Sequence, residues 1–127
     1  MRHLHFDDIL SSLNRGSCVE QFLGGALSNG QQTIRWIEIR PNEKMFEVWQ
    51  FAAPDLGNLD YHDFYDWAGE EGEAMIAILP TADEALKVAE TDLKARRNAW
   101  TNPGVSQEDY RDYVTGQRSP TWTPAQP

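Results

Sequence analysis

A chain of 127 residues that is 40% hydrophobic and 11% aromatic fits one domain with a single core and is too apolar to be disordered over most of its length. Its single cysteine, Cys18, excludes an intramolecular disulfide and the usual structural zinc patterns. The formal charge of −9 and a pI near 4.6 argue against nucleic acid or anionic lipid as a partner.

No apolar run approaches the roughly 18 residues that span a bilayer. The N-terminal MRHLHFDDIL reaches Asp7 and Asp8 before any apolar stretch of signal-peptide length, so a reducing, cytoplasmic compartment is expected. The charge is unevenly placed. The segment from Pro54 to Leu79 holds seven acidic residues and no Lys or Arg. Seven of the nine excess negative charges therefore lie there.

Phe6, Ile9, Leu10 and Leu13 recur at i, i+3, i+4 and i+7, which predicts a helix from Phe6 to Asn14. Asp7 and Asp8 suit its positive end, and Gly16 follows as a C-terminal glycine should. His3 and His5 before it read as ordinary polar residues. In residues 17–23, Val19, Phe22 and Leu23 could continue a helix, but the shortness of the run and the glycines after it favour a strand, and Gly24 to Gly30 read as a loop. That glycine loop lacks the Lys-Ser/Thr pair of a phosphate loop and the dinucleotide fingerprint.

The stretch from Gln32 to Ala53 reads as a hairpin turning at Pro41-Asn42-Glu43-Lys44. Both faces of both arms mix apolar and polar side chains, which fits a central pair of strands better than an edge pair. Trp36 and Trp49 read as packing residues. After Pro54 comes a long segment rich in carboxylates and aromatics with no clean period. Long loops in compact domains bind something or are disordered, and the aromatics argue against disorder. Tyr61, Phe64, Tyr65 and Trp67 are expected to anchor it, leaving Asp60, Asp63, Asp66, Glu70 and Glu71 outward.

Glu73 to Leu79 reads as a further strand, ended by Pro80. Thr81 with Glu84 three residues on makes a capping box. The helix it opens is expected to carry Leu86, Ala89, Leu93 and Trp100 on one stripe, with Lys94, Arg96 and Arg97 in its last turns and a Glu90–Lys94 pair. Asn102-Pro103-Gly104 would end it. A last helix is expected from Gln107 to Val114, capped by Ser106, with Tyr110, Tyr113 and Val114 inward. Residues 117–127 read as a Pro-rich flexible tail after a single domain over 1–116. Within the tail Trp122 would pin it to the body or dock on a partner.

No nucleophile motif is present, and Cys18 reads as a buried inert thiol. The acidic segment fails the calcium-loop pattern, since Gly57, Leu59 and Asp60 occupy the third, fifth and sixth places counted from Asp55. No metal and no cofactor are called for. An acid–base pair needs a separation and a raised pKa that spacing alone does not reveal.

The expected architecture is α+β, an antiparallel sheet of three to four strands with helices packed largely on one face. The expected function is that of a non-enzymatic protein-binding domain whose acidic, aromatic-rich loop, residues 54–73, meets a basic protein surface. Its contact residues would be Asp60, Tyr61, Asp63, Tyr65, Asp66, Trp67 and Glu70. Small acidic bacterial immunity proteins that neutralise basic nuclease toxins have this general profile. The alternative is a small enzyme or small-ligand binder with a pocket between that loop and the hairpin, lined by Trp49 and His62. A third reading is a homo-oligomer subunit.

Overall fold

A computed structural model describes residues 2–28, 30–58 and 60–118. The element order is α1 (Phe6–Asn14), β1 (Val19–Ser28), β2 (Gln31–Asn42), β3 (Met45–Pro54), β4 (Glu73–Leu79), α2 (Ala82–Asp92) and α3 (Ser106–Thr115). The four strands form one antiparallel sheet in the order β1-β2-β3-β4. The architecture is α+β, with β2 and β3 as the central pair.

The mixed faces of the hairpin follow from a sheet covered on both sides. Ile37, Ile39 and Val48 join Val19 and Leu23 in a core with α1 and α2, where Ile9, Leu13, Leu86 and Ala89 are buried. Ile34, Trp36, Phe51 and Ala53 look the other way, into a second core with Phe22, Phe64, Tyr110 and Tyr113. Two of the three helices thus share one face, and α3 with the β3–β4 loop covers part of the other. Alternation along each strand sends an apolar set to each core.

Several boundaries differ from the sequence-based expectation. β1 continues through Gly24 and Gly25 to Ser28, where a loop was expected. The strand survives because a bulge between Phe22 and Gly24 absorbs the irregularity, with Gly24 at φ 104°. The hairpin turn shrinks to Glu43-Lys44, and Pro41 and Asn42 pair with Phe46 and Met45. Proline is tolerated there because β1 pairs with β2 only as far as Ile39, so no neighbour needs the missing N–H.

The largest difference concerns α2, which ends at Asp92 instead of continuing towards Trp100. Lys94 takes a left-handed φ of 65° and the Ala95 N–H donates to Ala89 O at 3.0 Å. Glu90 consequently pairs with Arg97, at 3.1 Å, and not with Lys94. The released segment covers the outer edge of β1. Gln21 exchanges two side-chain bonds with the Arg96 backbone, at 2.9 and 2.7 Å, and Thr101 and Glu20 exchange backbone bonds at 2.8 and 3.0 Å. Trp100 is fully buried all the same. The helix over-reading came from a 3.6-residue stripe that continues past the point where backbone pairing to β1 takes over.

α3 begins at Ser106 itself, without a side-chain cap of its own. Cys18 is half-buried, not fully buried, and burial raises its thiol pKa. Arg118, placed in the tail by its sequence context, is fastened to the body. Residues 119–127, Trp122 among them, lie outside the described residues.

Gly25 faces the Tyr113 hydroxyl so closely that a Cβ there would overlap it. Gly25→Ala should cost about 2 kcal/mol through overpacking. Tyr113→Phe, which deletes a hydroxyl with no hydrogen bond among the described residues, should be near neutral by urea denaturation. It should restore only part of the loss in the double variant, because the ring carbon that bore the hydroxyl stays in overlap with the new Cβ.

Candidate functional site

The loop between β3 and β4, residues 55–72, is built from an inner set of side chains that fix it and an outer set that faces water. At its start the Asp55 carboxylate, 1% exposed, accepts from the Tyr110 hydroxyl and from Arg118 Nε at 2.7 Å. Arg118 also donates from Nη2 to Gly57 O at 2.8 Å. Burial and then Asp55 push the Tyr110 phenol pKa up, and Asp55 raises that of Arg118. Gly57 leaves no space for a Cβ, with Tyr110, Tyr61 and Trp67 all close by. Asn58 Oδ1 then accepts from the N–H groups of Asp60 and Tyr61 at 2.8 and 3.0 Å, which turns the chain.

The middle of the loop is pinned by Phe64, which is fully buried against Trp36 at 4.6 Å and against Phe22 and Tyr110 at 5.7 Å between ring centroids. Tyr65 follows it inward. Its hydroxyl donates to Glu20 Oε2 at 2.6 Å, and burial, reinforced by that carboxylate, pushes its pKa well up. Trp67 lies edge-on to Tyr110 at 5.7 Å and beside Tyr61 at 5.8 Å. At the far end the Ala52 N–H donates to Gly72 O at 2.8 Å and returns the loop to the sheet.

Glu20 is the group that this arrangement needs and that sequence reasoning missed. It is 3% exposed and accepts four hydrogen bonds, from Tyr65 Oη, Ser106 Oγ, Ser106 N at 3.4 Å and Gly104 N at 3.1 Å. A strand residue in VEQFL carries no local sign of which face it takes. Asp55 carries no local sign of its inward turn either, since its partners Tyr110 and Arg118 lie 55 and 63 positions away.

The sequence-predicted residues therefore divide. Asp60, Asp63, Asp66 and Glu70 are exposed, and Tyr61 is 54% exposed. Tyr65 and Trp67 are half-buried and spend their rings on the body. Glu71 and Glu73 are exposed as well. Among the described residues, none of Asp60, Asp63, Asp66, Glu70, Glu71 and Glu73 forms an ion pair. Phe51, Tyr65, Asp66, Ala68, Gly69, Glu70 and Glu73 surround a hollow of about 230 Å³ between the loop and the sheet. Trp49 and His62 are not among its lining residues. His62 is half-buried, and its Nδ1 makes no hydrogen bond among the described residues.

Beyond the hollow the same sheet face carries exposed apolar side chains. Trp49 is half-buried under the Arg40 guanidinium, 4.7 Å from the ring centroid. Arg40 is itself paired with Glu38 at 2.7 Å. Met75, opposite Trp49, is 46% exposed and Ile78, opposite Glu47, is 47% exposed. Among the described residues, no group of three or more His, Cys, Asp and Glu side chains is placed to hold a metal ion, and no helix is long and apolar enough to cross a membrane. No family model, curated protein or solved structure matches the chain.

Two tyrosines bonded to carboxylates, Tyr110 buried and Tyr65 half-buried, imply alkaline sensitivity. The folded phenols of Tyr65 and Tyr110 hold their protons above pH 10, where unfolded tyrosines release theirs. The unfolded state then binds fewer protons, so stability present below about pH 10 is lost as pH rises. Denaturation midpoints should fall above pH 10, and less steeply in Tyr65→Phe. In the same assay at pH 7, Glu20→Gln should lose about 2 kcal/mol, because its amide N–H₂ would face donors where the carboxylate faces acceptable partners.

Proposed function

We propose that the chain is a non-enzymatic protein-binding domain that presents residues 54–73 to a basic protein surface. The observation that carries this reading is the pairing of six exposed carboxylates, none with a cationic partner among the described residues, with a loop backbone fixed by Asp55, Phe64 and Tyr65. A loop already held in one shape loses little entropy on binding. Unpaired carboxylates of one sign accelerate encounter with a basic partner and disfavour acidic ones. Asp60, Asp63, Asp66 and Glu70 supply the charge and Tyr61 the exposed ring, while Tyr65 and Trp67 act by holding the loop. An immunity protein that covers a basic toxin is the form of such a binder that the size and charge favour.

A small-ligand site in the hollow beside Phe51 and Tyr65 is the second reading, favoured by the three carboxylates, Asp66, Glu70 and Glu73, on its rim. It predicts a compact cationic ligand.

The binding reading is tested by capture from the source cell with wild-type protein and with the triple variant Asp60→Asn, Asp63→Asn, Asp66→Asn. A basic protein should be recovered by the first, and its association rate should fall about ten-fold with the triple variant and again as salt is raised to about 0.5 M. Recovery indifferent to both changes would sink the acidic-surface reading.

A further inference from the structure

The two edges of the sheet are treated differently. The outer edge of β1 is covered by the segment after α2, through the Thr101–Glu20 backbone pair and the Gln21–Arg96 bonds. β4 pairs with β3 on one side, and among the described residues its other side has no strand neighbour. Open edges in soluble proteins are usually blunted by charge or proline, because a row of free N–H and C=O groups invites another strand. β4 is Glu73-Ala-Met-Ile-Ala-Ile-Leu79, with one charge, at its first residue. Its exposed side chains are mostly apolar: Met75 at 46%, Ile76 at 38% and Ile78 at 47%.

The register sharpens the picture. Val48 pairs with Ala77 and Trp49 with Met75, so Ile76 is the extra residue of a bulge. The bulge puts Met75 and Ile78, three apart in sequence, on the face where Trp49 and Glu47 alternate. That face continues into the hollow rimmed by Glu73, Glu70 and Asp66. An apolar strip thus lies along the open edge, with carboxylates gathered at one end of it.

We infer that the partner enters as an extended segment that adds to the open edge of β4, its apolar side chains over Met75 and Ile78 and its Lys or Arg side chains at Glu73, Glu70 and Asp66. This rests on the reading above that the partner is basic. Strand addition takes affinity from main-chain hydrogen bonds and specificity from alternate side chains. The occupant follows from charge complementarity. A second copy would bring another −9, and an antiparallel two-fold centred on β4 would set its axis at Ile76, where the bulge interrupts regular pairing. A basic segment is not repelled, and because it need not centre on Ile76 it can pair to one side of the bulge.

The test uses the full chain, isotopically labelled, and a synthetic valine–lysine peptide of about ten residues, long enough for one strand, one face of which carries valines in one half and lysines in the other. Controls are its valine–glutamate counterpart and the valine–lysine peptide N-methylated on alternate amides. The valine–lysine peptide should slow hydrogen exchange at the amides of residues 73–79, and N-methylation should weaken binding about ten-fold or more. Binding that perturbs residues 60–71 but leaves β4 exchange unchanged and ignores N-methylation overturns strand addition and leaves the acidic-surface reading standing. Equal binding of the valine–glutamate peptide, or no binding of either, overturns both. Two further outcomes overturn the choice of occupant: a dimer in sedimentation that Ile78→Lys dissociates, and β4 amides of the free protein that lose protection on Trp122→Ala.

Discussion

A carboxylate placed below the surface without a cation needs hydrogen-bond donors around it, and Glu20 finds them in hydroxyls and backbone N–H groups from two distant parts of the chain. Tyr65 belongs to the β3–β4 loop and donates at 2.6 Å, while Gly104 and Ser106 belong to the entry of α3. Glu20 also takes the place of the missing side-chain cap on α3, since it accepts the Ser106 N–H at the positive end of that helix. One strand residue thereby sets where the loop crosses the sheet and where α3 starts. The second core, with Phe22, Phe64 and Tyr110 within 5.7 Å of one another, forms only when both are in place.

This division of labour explains how an acidic segment can be ordered without self-neutralisation. Asp55 is the exception that turns inward, with Arg118 and Tyr110 as partners. The remaining carboxylates of the segment stay in water at little desolvation cost, and their mutual repulsion is tolerated because aromatic burial, not charge pairing, holds the backbone. A solvated face and a binding face look alike in charge count alone. The carboxylates here adjoin a strand edge that has no strand neighbour among the described residues and that exposes Met75, Ile76 and Ile78.

Much of the fold was legible from periodicity. α1 from Phe6 to Asn14, the β2–β3 hairpin and β4 from Glu73 to Leu79 have the bounds that their apolar patterns and flanking Gly or Pro residues imply, to within a residue or two. Local patterns failed where a tertiary bond decided. α2 stops at Asp92 although its stripe runs on, because residues 96–101 bond to β1. β1 runs through a glycine pair because a bulge accommodates it. For the candidate site, the outward carboxylates could be read directly. The inward turn of Asp55 and Glu20 could not, since both depend on residues from 45 to 86 positions away.

The clasp between Asp55 and Arg118 has a consequence for the order of assembly. β1, β2 and β3 are consecutive and close through short turns, so they can pair as soon as they are made. The loop that follows rests on Tyr110, Ser106 and Arg118, which join residues separated by 41 to 63 positions, and such closures lag behind local ones. During synthesis, with the N-terminal part emerging first, the most negatively charged stretch of the chain is therefore left waiting beside a finished hairpin until α3 arrives. The surface that defines this protein's charge is the last to take shape.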